Sequence, residues 1–139
     1  MPVPIQIGAA GLDLSGREGD TATVAASPAA AAETVIATFV LPTDVVVEHG
    51  VLLFGFAAWT VGTNGTAVTL KIRQTGTSGT TIKSTGAITS TAANLDARAI
   101  MGVDSSPALT GQTYVLTATV TGGSAQSTVS AVELIAIVI

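Results

Sequence analysis

Cysteine is absent from this chain of 139 residues. That excludes disulfide staples, thiolate nucleophiles and cysteine-bound zinc. Histidine occurs once, at position 49. A single His cannot assemble a metal cluster, and His49 follows Val45-Val46-Val47-Glu48 and precedes Gly50, the setting of a solvated turn residue. Charged residues make up only 10% of the chain, against a usual ~25%. The formal net charge is -4 and the pI about 4.6, which argues against nucleic acid as a partner, because binding it requires clustered Lys and Arg. Aromatics number five: Phe39, Phe54, Phe56, Trp59 and Tyr114. Most fall in apolar segments and read as core, leaving few for stacking on sugars.

Long hydrophobic runs are also missing. Gly, Thr or a charge breaks each apolar stretch before the ~18 residues that a spanning helix needs. No membrane partner is expected, although 47% of residues are hydrophobic and mean hydropathy is +0.63. The opening Met1-Pro2-Val3-Pro4-Ile5-Gln6 has no basic region, so no signal peptide is read there. The expectation is a soluble protein made in a cytoplasm.

Catalytic patterns are not found. Ser15, Ser78, Ser105 and Ser106 lie outside any Gly-x-Ser-x-Gly elbow. The acids Asp13, Glu18, Asp20, Glu33, Asp44, Glu48, Asp96, Asp104 and Glu133 show no spacing that suggests a glycosidase pair. No calcium loop appears, and Gly62-Thr63-Asn64-Gly65-Thr66 lacks the Lys of a phosphate loop. The chain is expected to be no enzyme, with no cofactor and no metal.

What the chain has is Thr, Ser, Gly and Ala around short β-branched segments. Residues 1–20 read as an extended arm. Pro2 and Pro4 oppose helix, glycines at 8, 11, 16 and 19 oppose regular structure, and Ile5, Ile7, Leu12 and Leu14 form an apolar stripe. Residues 21–139 read as one domain. Strands are expected at Thr21–Ala26, Thr34–Leu41 with Pro42 as a stop, Val51–Val61 and Thr66–Gln74. Others follow at Thr80–Lys83 and Ala87–Ser90 around Gly86, then Ala97–Val103, Gln112–Thr121 and Thr128–Ile139. Turn signals about every ten residues point to an all-β, jelly-roll-like antiparallel β-sandwich of about eight strands.

Two segments break the wet/dry alternation of an ordinary sandwich strand. Val51–Val61 presents Val51, Leu53, Gly55, Ala57, Trp59 and Val61 on one side, and Leu52, Phe54, Phe56 and Ala58 on the other. Val132–Ile139 presents Val132, Leu134, Ala136 and Val138 against Ile135, Ile137 and Ile139. A sandwich buries only one face of each sheet, and each large side chain left in water forgoes roughly 1.5–3 kcal/mol. Self-association about a rotation axis would cover the second face; a folded-back arm in a monomer is the other possible cover. The expected oligomer interface is Leu52, Phe54, Phe56, Ile135, Ile137 and Ile139. Glu133 would then pair with Lys71, Arg73 or Arg98, or sit at the wet end of its strand.

These two-sided strands, the segment Gly111-Gln112-Thr113-Tyr114-Val115-Leu116 and the final Glu133-Leu134-Ile135-Ala136-Ile137-Val138-Ile139 resemble the trimeric jelly rolls of the tumour-necrosis-factor and complement-C1q type. The resemblance covers residues 33–139. Few of the animal aromatic core positions are present, and there is no collagen stalk. The low charge and Thr/Gly/Ala-rich loops are more similar to small trimeric decoration (cement) and head-fibre proteins of tailed bacteriophages. That resemblance implies a homotrimer on the outer capsid surface of a virion. It would tie capsomers together, with the major capsid protein as partner and the arm residues Ile5, Ile7, Leu12 and Leu14 as the capsid contact. The alternative it implies is a fibre or receptor-binding head, touching a host surface through loops 62–65, 75–80 and 104–111.

Overall fold

The computed structural model describes residues 13–18, 32–61, 67–91, 94–121 and 127–139. Eight strands occur among them: β1 (Asp13–Glu18), β2 (Glu33–Val40), β3 (Val51–Val61), β4 (Ala67–Gln74), β5 (Thr81–Thr89), β6 (Leu95–Asp104), β7 (Thr113–Thr121) and β8 (Ser127–Val138). They form two four-stranded sheets, ordered β1-β8-β3-β6 and β2-β7-β4-β5. All six strand pairings are antiparallel.

The order records how the chain is wound. From the middle outward, β4 pairs with β5, β3 with β6, β2 with β7 and β1 with β8. That is one long hairpin rolled up so that successive pairs fall in alternate sheets, the jelly-roll path. The all-β sandwich expected from the sequence is therefore the observed fold.

Local chemistry explains the strand limits. Pro42 follows β2 and has no N–H for a ladder, and Leu41 donates instead to the Gln112 carbonyl at 2.9 Å. β3 has the expected bounds, Val51–Val61. β4 alternates as its sequence requires, with Val68, Leu70 and Ile72 buried. Residues 81–89 are one strand where two short ones were expected. Gly86 takes φ +71°, the left-handed region open to Gly, and the register slips between Thr69 and Lys71. At that bulge the Thr85 hydroxyl accepts from Leu70 N at 3.0 Å. A side chain thus fills the place of a ladder partner, and the strand continues.

A second correction concerns the arm. Residues 13–18, assigned above to it, form β1 and pair with β8, with Leu14 opposite Ile137. The backbone of this segment completes a sheet edge of its own chain. Residues 1–12 lie outside the described residues, as do Thr21–Ala26, 62–66 and 122–126.

The core lies between the sheets, around Trp59, Tyr114, Leu53, Leu70, Ile72, Leu116 and Leu134, all fully buried. Trp59 donates to the Ser90 hydroxyl at 3.1 Å, so its indole N–H joins the two sheets. At Gly55 the packing leaves no room for a side chain. A Cβ there would lie 2.9 Å from Ile100 Cγ2 and 3.0 Å from Leu116 Cδ1. Gly55→Ala should therefore cost about 1–3 kcal/mol through overpacking, read as a lower urea midpoint at unchanged slope.

Candidate interaction surface

The register of the first sheet determines which side chains share a face. On its outer side Val103 of β6, Leu52 of β3 and Ile137 of β8 form one cross-strand row. The next rows are Met101–Phe54–Ile135, Ala99–Phe56–Glu133 and Ala97–Ala58–Ala131. Apart from Glu133, each member of these four rows is apolar. Three strands by four rows make a patch of about 25 by 14 Å, roughly 350 Å². Patches of this size on soluble proteins are often functional. Its centre is a shallow groove of about 350 Å³ lined by Phe54, Phe56, Ala99, Met101, Glu133 and Ile135.

β6 gives this face its character. Its odd-numbered residues Leu95, Ala97, Ala99, Met101 and Val103 point outward, and Asp96, Arg98, Ile100, Gly102 and Asp104 point toward the second sheet. The usual placement is inverted: Leu95 is 68%, Met101 56% and Val103 53% exposed, while Asp104 is buried. The pairing with β3 enforces this, since Met101 lies opposite Phe54 and Ile100 opposite Gly55.

The outer face of the second sheet has the opposite chemistry. Thr69, Lys71 and Arg73 of β4 lie beside Thr117 and Thr119 of β7 and Glu33 of β2. Arg73 grips Glu33 with two nitrogens, at 2.6 and 2.9 Å. Lys71 Nζ reaches the same carboxylate at 3.2 Å, and the Thr117 hydroxyl donates at 2.6 Å. Arg73, chiefly, holds the Glu33 carboxyl down to about 2 against burial, with Thr117 and Lys71 assisting. The folded pKa is below the unfolded one, so the cluster stabilises above about pH 4.5 and that gain is lost as pH falls toward 2. Glu33→Gln should lower stability at pH 7 by on the order of 1–2 kcal/mol, allowing for solvent screening. Urea unfolding at pH 7 and pH 2 checks this: the gap between the two proteins should close at the lower pH.

The six residues expected at an interface lie together on the apolar side. Phe54 is 37% and Ile139 36% exposed, and Leu52, Phe56, Ile135 and Ile137 are half-buried. Ile139 follows β8, and its N–H and C=O are bonded to the 49–50 turn. Of the arm residues, Leu14 is in β1, and Ile5, Ile7 and Leu12 lie outside the described residues. Glu133 is on the first sheet, whereas Lys71 and Arg73 belong to the second and are held by Glu33, so the expected pairing of Glu133 with either is corrected. The residues that sequence reading missed are Leu95, Met101 and Val103. Their signal was present, as an unbroken apolar series at odd positions 95–103.

Other polar groups have structural work. Asp104 Oδ2 accepts from the Tyr114 hydroxyl at 2.9 Å and Gln74 Nε2 at 2.6 Å, and Oδ1 accepts from Ser106 N at 3.0 Å. Burial, then the Asp104 carboxylate, pushes the Tyr114 phenol well above its usual range. His49 is exposed in its turn. Among the described residues no three His, Asp or Glu side chains gather as a metal site, and no helix is long and apolar enough to cross a membrane.

No family model matches the chain, and no curated protein matches it. Solved structures share its fold at low identity. A chain from the structure of infectious bursal disease virus Gt strain is 10% identical at a TM-score of 0.56, covering 88% of this chain and 30% of that one. A Gx strain chain is 14% identical at 0.49, covering 76% and 26%. A CBM4 structure is 19% identical at 0.40, covering 86% of each chain. This chain thus spans less than a third of the virus chains it matches, and what it shares with the Gt strain chain is the β-sandwich.

Proposed function

We propose that this protein is a non-enzymatic structural protein of a virion that assembles through the outer face of its β1-β8-β3-β6 sheet. The observation that carries the reading is the difference between the two outer faces. One bears an ion-paired, threonine-rich surface fit for water, and the other a continuous apolar patch that includes an inverted strand. Each large side chain on that patch gains roughly 1.5–3 kcal/mol when fully covered. A second copy of the same surface is the simplest cover, through a closed rotational contact. The sandwich shared with a virus chain and the low surface charge agree with a place in a shell, where much of the surface is hidden. Within that reading the protein is a capsid decoration protein, trimeric, on the outer capsid surface, and bound to the major capsid protein.

Sedimentation or light scattering at micromolar concentration tests the first step, where a trimer is expected and a clean monomer defeats it. Binding to emptied shells tests the second. Removal of residues 1–12, which leaves β1 in place, should weaken shell binding without changing the oligomer. If the isolated protein binds host cells and ignores shells, a receptor-binding head replaces decoration.

A further inference from the structure

Four cations, Lys71, Arg73, Lys83 and Arg98, lie on β4, β5 and β6, and they divide into two pairs. Lys71 and Arg73 are neutralised by Glu33. Lys83 of β5 and Arg98 of β6 come from opposite sheets, and both line one cleft of about 510 Å³ between those two strands. Among the described residues neither has an ion pair or a side-chain hydrogen bond. In a protein of net charge -4, Lys83 and Arg98 thus face the same opening, whose lining contains no carboxylate.

The walls are more than a charge pair. β5 and β6 each form one edge of their sheet, hydrogen-bonded among the described strands to β4 and β3 respectively and to no other. Each therefore leaves one row of backbone N–H and C=O groups without a strand partner. The cleft is pinched shut at Gly102, where a Cβ would lie 3.0 Å from both Ile82 Cγ2 and Lys83 Cβ. Its lining sets Ile88, Ile100 and Met101 beside the two cations, so apolar and cationic groups share it. A small anion would use the cations and leave the apolar walls and the backbone row untouched. An extended peptide uses all three features, by the edge-strand addition that several peptide-binding domains employ.

We propose that the β5–β6 cleft is a second binding site, which accepts an extended acidic segment of a partner protein as an added strand on β6, its carboxylates meeting Lys83 and Arg98. This site adjoins the apolar outer face at Ala99 and Met101, which line both, but its cations and its free strand edge do not depend on self-association.

The test uses the full chain and labelled eight-residue peptides that alternate Val with Asp, Ser or Lys, read by fluorescence anisotropy. The Asp peptide should bind saturably and the Lys peptide should not. The double variant Lys83→Glu, Arg98→Glu should weaken the Asp peptide about tenfold, as expected for two charge contacts near a surface, and should shift the preference to the Lys peptide. Both side chains are exposed, so melting temperature and mass in solution should match the unaltered protein, which separates this result from any failure of assembly. N-methylation of alternate amides should abolish binding of the Asp peptide. An affinity order unchanged by the charge reversal, equal displacement by inorganic phosphate, or indifference to N-methylation would each overturn the proposal.

Discussion

If copies join as proposed, replacing Phe54 with Asp should leave a monomer whose subunit is folded. Phe54 lies in the middle of the apolar patch, between Met101 and Ile135. It faces away from the core, so a carboxylate there can stay hydrated in a lone subunit. In a contact between copies the same carboxylate would be desolvated without a partner, a cost of several kcal/mol. Truncating a central aromatic anchor alone commonly costs 2 kcal/mol or more. Together these predict roughly 30- to 1,000-fold weaker association per contact. Sedimentation velocity on the order of 10 μM should show the lower mass, and circular dichroism an intact β spectrum. Val35→Asp is the matched control, since Val35 is equally exposed, at 37%, but lies on the second sheet. It should leave the mass unchanged. If Phe54→Asp also leaves the mass unchanged, the patch is not the contact.

The largest expected loss of stability from a polar residue is at Asp104. Asp104→Ala removes the acceptor for Tyr114, Gln74 and the Ser106 amide, and leaves the Tyr114 hydroxyl buried without a partner. Hydrogen bonds to a charged group contribute about 1.5–3 kcal/mol each, and an orphaned buried donor costs about 1–3 kcal/mol. Since Gln74 and Ser106 can turn to water in part, a net loss of about 3 kcal/mol is expected, or roughly 10 °C in melting temperature for a domain of this size. Tyr114→Phe alone should cost about 1 kcal/mol. In the Asp104→Ala background the same change should cost little or restore stability, because the orphaned hydroxyl is then gone. Additive losses from the two changes would mean that the contact does not tie β6 to β7.

Much of the architecture could be read from local pattern. Val68, Leu70 and Ile72 alternate with Thr69, Lys71 and Arg73, and only a strand with one wet face satisfies that spacing. Pro42 ends β2 because it has no donor to offer. The two-sided character of β3 and β8 was equally visible, and so was the excess of apolar surface. The bulge at Gly86 was not, because a Gly between short β segments reads the same whether the chain turns or bulges. β1 was missed for a related reason. Its glycine-bearing sequence has weak strand preference, and pairing with β8, more than a hundred residues away, supplies what propensity lacks.

Composition and periodicity by themselves determined that this protein is all-β, has no thiol chemistry, and carries more apolar strand surface than a lone sandwich can hide. Tertiary structure alone decided where that surplus is exposed. A period of two tells which residues share a face, but not which face meets the core. In β6 the charged series Asp96 and Arg98 would be taken for the wet side, yet pairing with β3 turns it inward and sends Met101 and Val103 out. Likewise Glu33 and Glu133 are equal as candidate partners for Arg73 until the winding puts one on the same sheet and the other across the core. Ion pairs and apolar patches depend on distances of a few ångströms between residues far apart in sequence, and only the rolled hairpin sets those distances.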